Sequence, residues 1–393
     1  MVEWKPIDSL GNYFGGLTGK SKKDFENGNA KFITYMNVFS NPSLDVSTVE
    51  MVHINEGERQ NKVQKGDILF TGSSETPDEA GMSCVVTDDL DEDYYMNSFC
   101  FGLRLLEPEQ YNLNFFKHVF RSYVIRKAIS KSASGVTRFN ISKARFGKIL
   151  IPIPSLLEQN RIVGILDTFT ATIDNLKEQI VQRRKQFEYY RDQLLELEGK
   201  PGVEMKTLGE VCLKSSNIKW KLESEKNTYN YIDLSSVDLD SHKINNVISI
   251  DKSNAPSRAQ QIIKKGDILL GTTRPTLKRY CTVPEKYDNQ ICSTGYCIFR
   301  ANTKIVINNW IYHIIGRTKF WNYCEQKQQG AGYPCLSNSD AFAYSIPIPS
   351  LPEQQRIVSI LDTFESSIKN MEAQLELRQK QYEYYRNKLL TFE

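Results

Sequence analysis

Nothing in this chain is apolar for long enough to cross a membrane; no hydrophobic run approaches the ~18 residues that a helical span needs. The first ten residues carry Glu3 and Asp8 and have no apolar centre, so no secretory leader is expected. Cysteines number eight, and none forms a Cys-x-x-Cys pair. Cys292 and Cys297 stand too far apart for a zinc knuckle. Reduced thiols in a cytoplasmic protein are therefore expected. There are four histidines, at 53, 118, 242 and 313, far apart and without the H-E-x-x-H spacing of a metal site. The run GGLTGKS at 15–21 imitates a phosphate loop but has three residues between Gly15 and Gly19, where the motif needs four. No glycine-rich turn suggests a methyl-donor or dinucleotide site, and no Ser/His/Asp ordering stands out. Any chemistry is expected to come from another chain.

What is present is a repeat. The 393 residues suffice for two or three domains. Segment 151–198 opens IPIPSLLEQNRIVGILDTF and closes RRKQFEYYRDQLLELE. Segment 346–393 repeats it at an offset of 195 without a gap, with 29 of 48 positions identical. A fainter echo precedes each copy: QKGDILF at 64–70 matches KKGDILL at 264–270, and VEWK at 2–5 matches VEMK at 203–206. The chain thus reads variable, repeat, variable, repeat.

Within the repeats, Ile162, Leu166, Phe169, Ile173, Leu176, Ile180, Arg183, Phe187, Tyr190, Leu194 and Leu197 step by four and three in alternation, the spacing of a coiled-coil seam. The second copy runs Ile357, Leu361, Phe364, Ile368, Met371, Leu375, Arg378, Tyr382, Tyr385, Leu389 and Phe392. Its one polar member falls at the same step, so Arg183 and Arg378 are expected to set the register of helix pairing. Ser155 to Glu158 and Ser350 to Glu353 have capping-box spacing, and the Ile-Pro-Ile-Pro runs before them must be extended. The first helix is expected to end near Glu198. Roughly 40 helical residues span on the order of 60 Å, and a helix that long needs a partner, for which the other copy is the candidate. The expected fold is α+β: two similar globular domains, 1–154 and 201–349, separated by an antiparallel coiled coil of helical spacers 155–200 and 350–393, with pseudo-twofold symmetry.

Net charge is +3, but it is uneven. Residues 201–350 hold 19 basic and 13 acidic side chains, a net +6, while 1–155, 156–200 and 351–393 are each −1. A polyanion would meet patches. Strands are expected at 67–70, 84–87, 97–106, 267–270 and 296–300, and helices at 113–129 and 308–326. Segment 117–148 carries nine Lys or Arg and no Asp or Glu. It contains the loop SASGVTRFN at 132–140, whose counterpart is QQGAGYPCLS at 328–337. A second basic stretch is 264–280. Cations interleaved with aromatics and glycines suit a phosphate backbone and base edges. The candidate DNA contacts are Arg121, Lys127, Lys131, Ser134, Arg138, Phe139, Lys143 and Arg145, and then Lys264, Lys265, Thr273, Arg274, Lys278, Arg279 and Tyr333.

Two variable halves, each followed by P-x-P-S-L-x-E-Q-x-R-I-V-x-I-L-D-x-F and R-x-K-Q-[FY]-E-Y-Y-R-[DN]-x-L-L, resemble the specificity subunits of type I restriction-modification systems. The resemblance implies two target-recognition domains reading a split, asymmetric site in double-stranded DNA, with a gap of fixed length and free sequence. It implies that the helical repeats dock two methyltransferase subunits, which restriction subunits join. S-adenosylmethionine, ATP and magnesium would belong to those partners, and this chain would hold no cofactor and catalyse nothing. Glu158, Gln159, Arg161, Glu353, Gln354 and Arg356 are the docking residues it points to. The competing expectation is a coiled-coil scaffold without DNA recognition.

Overall fold

A computed structural model describes residues 2–392. The chain divides into two compact units, Met1–Lys177 with Ala373–Glu393, and Glu178–Glu372. The division falls inside the two repeats, so each unit takes part of both helical segments.

In the first unit the strand Glu3–Pro6 pairs antiparallel with Leu150–Ile153, Glu3 opposite Ile153. The proline-bearing run is extended, as its sequence requires, and it joins the start of the unit to the residues that launch the first long helix. Glu204–Thr207 pairs with Ser345–Ile348 in the same way in the second unit. The main sheet of the first unit orders Gly11–Gly15, Cys100–Leu105, Asp67–Thr71 and Ser83–Val85, all antiparallel. Asp67–Thr71 is buried at every position, as befits a strand covered on both faces. The second unit repeats this with Cys212–Leu213, Tyr296–Ala301, Ile268–Gly271 and Tyr280–Thr282. Each unit also has a second, mixed sheet containing one parallel pair, Ala30–Ile33 with Tyr94–Met96 and Tyr229–Ile232 with Ile291–Ser293.

The shared Lys-Gly-Asp has a structural reason. Gly66 and Gly266 take φ of +89° and +82°, which only glycine adopts freely. The aspartate after each is buried and gripped by two guanidinium nitrogens, Asp67 by Arg104 and Asp267 by Arg300, at 2.9 and 2.7 Å in both units. Burial pushes the Asp67 carboxyl upward against the pull of Arg104.

The helical stretches expected at 113–129 and 308–326 are each broken. They run Leu113–Val119 then Tyr123–Ser132, and Asn308–Gly316 then Thr318–Lys327. Ser122 is extended and its hydroxyl donates to the Val119 carbonyl. Arg317 is extended, buried, and bound to the Leu195 carbonyl and Glu196.

The long helices are Leu156–Leu194 and Leu351–Leu389, 39 residues each. The first stops short of Glu198 because Leu195 and Leu197 turn into the core of the second unit. The Glu158 N–H donates to Ser155 Oγ at 3.4 Å, but the Glu158 carboxylate faces Arg161 instead of closing the capping box, and Glu353 faces Arg356 likewise. Ile162, Val163 and Leu166 pack with Phe115 and Phe116, and Ile357, Val358 and Leu361 pack with Trp310 and Ile311. Each such side chain contributes about 1.5–3 kcal/mol by burial, so the start of each helix is part of its domain's core. The two helices pack together along the expected seam. In the first unit Phe169 stacks on Tyr385 at 5.2 Å. In the second, Arg184 meets Glu372 while Phe187 meets Phe364, numbers rising on one helix as they fall on the other, which is the antiparallel sense.

Candidate nucleic-acid interface

Each unit builds an exposed loop on the far end of its buried Asp-led strand. In the first, helix Tyr123–Ser132 runs into a hairpin of Ala133–Ser134 and Phe139–Ile141. That hairpin pairs onto Ser73–Ser74, and the Ile141 N–H donates to the Gly72 carbonyl at 2.9 Å. The turn needs Gly135, whose φ is +151° and where a Cβ would lie 1.9 Å from the Arg138 carbonyl oxygen. It displays Ser134, Val136, Thr137 and Arg138 to solvent. In the second unit, residues 328–337 fold back through a Gln329–Cys335 bridge and dock on Thr273 through Cys335. The Leu336 N–H donates to the Thr272 carbonyl and the Arg274 N–H to the Pro334 carbonyl, at 2.9 and 2.7 Å. Tyr333 stands at the tip.

The structure places Ser134, Arg138 and half-buried Phe139 on the first loop, Tyr333 at the tip of the second, and Thr273 and Arg274 on the segment against which the second loop docks, with Lys278 exposed farther along that segment. Arg138 lies over the Phe99 ring at 4.8 Å and Arg274 over Tyr333 at 4.4 Å. Lys127, Lys131, Lys143 and Arg145 are also exposed, on the helix before the first loop and the short helix Lys143–Phe146 after it. Lys127 covers Tyr123, and Lys143 lies over Phe101.

One expected contact, Arg121, is corrected, and three others lie apart from the loop or partly enclosed. Arg121 points inward: its Nε and Nη2 donate to the carbonyls of Ser83, Val38, Phe39 and Asn41, and burial pulls its pKa down to about 10. Arg126, in the same basic run, is likewise bound to the Asp78, Ala80 and Gly81 carbonyls. Lys264 and Lys265 precede Ile268–Gly271 whereas Thr273 and Arg274 follow it, so the strand holds them at opposite ends, and Lys265 is paired with Glu285. Arg279 is half-buried, its Nε enclosed without a hydrogen-bond partner. The apparent run of positive charge was a property of the linear sequence.

Folding also adds acceptors that the basic stretch lacks. A cleft of about 420 Å³ beside the first loop is lined by Tyr35, Phe39, Glu75, Glu79, Thr137 and Arg138. Tyr35 and Phe39 stack at 6.0 Å. A cation, carboxylates and aromatic faces in one opening can meet both the edges and the faces of bases. Phe99 and this cleft were missed in the sequence, because they come from segments far from the basic run.

On the helices, Gln159 and Gln354 are buried, not outward. Gln159 accepts from the Asn112 N–H and donates to the Pro154 carbonyl; Gln354 accepts from the Ile307 N–H and donates to the carbonyls of Ile305 and Pro349. Both fix a helix start to its own domain. Glu158–Arg161 and Glu353–Arg356 remain at the surface as equivalent ion pairs. Arg183 and Arg378 sit exposed at the edge of the seam, each guanidinium donating to a glutamine three residues on in its own helix, Gln186 and Gln381. Arg183 also lies 5.5 Å from the Phe364 ring centre. Neither is a buried polar lock, and a snorkelling side chain describes both. Beside them run two equivalent shallow grooves, Ile165, Thr168 and Phe169 with Arg378, and Ile360, Thr363 and Phe364 with Arg183.

The two histidines nearest the repeats prove to be tied to it. His118 Nε2 lies 2.7 Å from Asp167 Oδ1 and its Nδ1 2.9 Å from the Tyr382 hydroxyl; His313 Nε2 lies 2.7 Å from Asp362. Burial holds His118 below the ordinary imidazole range; with the ring neutral, Nε2 donates to Asp167 and Nδ1 accepts from Tyr382. Burial alone would raise Asp167, but the bonds from His118 and Lys117 outweigh it and leave the carboxyl lowered. These contacts join domain to helix. Among the described residues no three His, Cys, Asp or Glu side chains gather as a metal site, and all eight cysteines are free.

The family model described as the type I restriction modification DNA specificity domain matches residues 1–183 and again 201–378. A type I restriction enzyme specificity subunit of Escherichia coli is 32% identical over 62% of this chain, and the match spans 63% of that relative's length, less than two thirds. A Haemophilus influenzae chain assigned as a specificity subunit is 31% identical over 72% of this chain and 73% of its own. The crystal structure of the type I restriction-modification S subunit from M. genitalium covers 100% of this chain and 97% of that one, with a TM-score of 0.54 and 17% identity, a likeness of fold.

Proposed function

Since this chain belongs to the type I restriction modification DNA specificity family, with two copies of its domain filling most of the length, we propose that it chooses the DNA sequence for a restriction-modification complex whose chemistry resides in other chains. The observation that carries this is the pair of loops. Both are positioned by the same strand–helix–hairpin scaffold, yet they display different side chains, Ser134 and Arg138 on one and Tyr333, beside Arg274, on the other. A shared scaffold with unlike readers supports a bipartite, asymmetric site. The chain passes from one unit to the other within an unbroken helix, Leu156–Leu194, and a gap of constant length is part of the proposal.

The grooves at Ile165 and Ile360, with the flanking ion pairs Glu158–Arg161 and Glu353–Arg356, are our candidates for docking two methyltransferase subunits. Restriction subunits would join that assembly. The methyl donor, ATP and magnesium would be bound by those partners, and this chain would act on cytoplasmic DNA without a cofactor or a reaction of its own.

Methylation mapping of cells with and without the gene tests the reading. The expected result is loss of one asymmetric motif made of two specified halves and an unspecified gap of fixed length. A palindromic motif, a gap of variable length, or no change refutes it. A gel shift that is insensitive to salt would favour the scaffold alternative.

A further inference from the structure

Five arginines of the two domains are held by the protein itself. Arg104 and Arg300 grip buried aspartates, Arg317 meets Glu196, and Arg121 and Arg126 donate to carbonyls. Arg138 and Arg274 differ from these in two shared respects. Each guanidinium lies over an aromatic ring, and among the described residues no side-chain or backbone oxygen accepts a hydrogen bond from either one. The rings are themselves exposed, Phe99 at 54% and Tyr333 at 71%.

The two pairs are not copies of one another. Arg138 and Tyr333 are 195 residues apart, the offset of the repeat, and occupy the same place in their hairpins. At the matched hairpin position the first unit has the arginine and the second has the ring; the partner comes from the segment before Cys100–Leu105 in the first unit and from the segment after Ile268–Gly271 in the second. The same device has been assembled twice from different parts. In the second unit it is held in a disfavoured backbone, since Arg274 has a left-handed φ of +50°, and so does Lys278 at +51°. The Pro334 carbonyl, accepting from the Arg274 N–H, keeps the residue there.

A phosphate needs only positive charge, which a mobile lysine supplies. A guanidinium stacked on a ring has its plane fixed while the Nη edge stays free, and that suits a partner with two coplanar acceptors. In the major groove guanine presents such a pair, O6 and N7. We propose that Arg138 and Arg274 are the base-reading residues of their units and that each recognises a guanine, with Phe99 and Tyr333 as positioning residues. This rests on the reading of the chain as a DNA-specificity subunit.

The test offers a random duplex pool to the full-length chain and compares the sequences enriched by wild type, R138A, R138K, R274A and R274K. Wild type is expected to enrich a motif with a guanine in each half. R138A should lower discrimination at one guanine about ten- to a hundredfold and leave the other half intact; R274A should do the reverse. The untouched half reports that the variant is folded. The lysine variants should relax the same positions while keeping the salt dependence, and Phe99→Leu and Tyr333→Leu should weaken the preference for guanine without replacing it by another base. Three results overturn the assignment: a wild-type motif without guanine in either half, variants that enrich the wild-type motif, or uniform weakening on all sequences with the salt slope reduced by about one, the mark of a phosphate contact. If wild type enriches no motif at all, the specificity reading itself fails and takes the assignment with it.

Discussion

At the residue scale, what decides a side chain's role is where its polar atoms end. Arg121 and Arg138 look alike in the basic run 117–148, yet one closes four carbonyls and the other faces solvent. Arg121→Ala should therefore act on stability, costing about 2–4 kcal/mol by orphaning buried carbonyls, with an unchanged sequence motif; calorimetry and duplex selection would show it. His118 gives a pH signature. Its folded pKa is depressed by burial, so its contribution is complete above the unfolded value of about 6.5 and is lost as pH falls below that, when the unfolded chain takes up a proton that the folded one resists. Wild type should lose more stability than His118→Asn between pH 7 and 5.5, by up to about 1.4 kcal/mol per pH unit, read from urea midpoints. Equal slopes would refute this. His118 and His313 also show what was legible: they lie 195 apart, the offset of the repeat, so their kinship was in the sequence, but the aspartates that bind them were visible only after folding.

At the element scale, periodicity was reliable and polarity was not. The four-three stepping located two 39-residue helices and the apolar seam between them. It could not say that the arginine breaking the seam in each copy would reach its rim. Exposed as they are, Arg183 and Arg378 should be replaceable: an Arg183→Leu, Arg378→Leu double variant is expected to keep its helix content by circular dichroism and to lie within about 0.5 kcal/mol of wild type. A larger loss would restore them as determinants of register. The first capping box forms only in part, since Ser155 accepts from the Glu158 N–H while the Glu158 carboxylate binds Arg161, and the Glu353 carboxylate binds Arg356 likewise.

At the scale of the whole chain, duplication explains both the sameness and the difference of the halves. The grooves at Ile165 and Ile360 are equivalent in the two copies, and the proposal that each docks one methyltransferase subunit can be tested by blocking them in turn. Ile360→Glu should lower the methyltransferase content of the purified complex from two copies to one, and a second change, Ile165→Glu, should remove the other; native mass spectrometry counts them. Retention of both copies by the double variant would move docking elsewhere on the helices.

The sequence alone determined the duplicated plan, the α+β class, the long helices and their pairing, because a repeat and a heptad are periodic and survive in one dimension. It also located the two loops, through their glycines. Only the tertiary structure decided which cations are free, since that depends on carbonyls, carboxylates and rings brought in from distant segments. Charge adjacent along the chain became charge at opposite ends of a strand for Lys264 and Arg274, while Arg138 met a ring 39 positions away at Phe99.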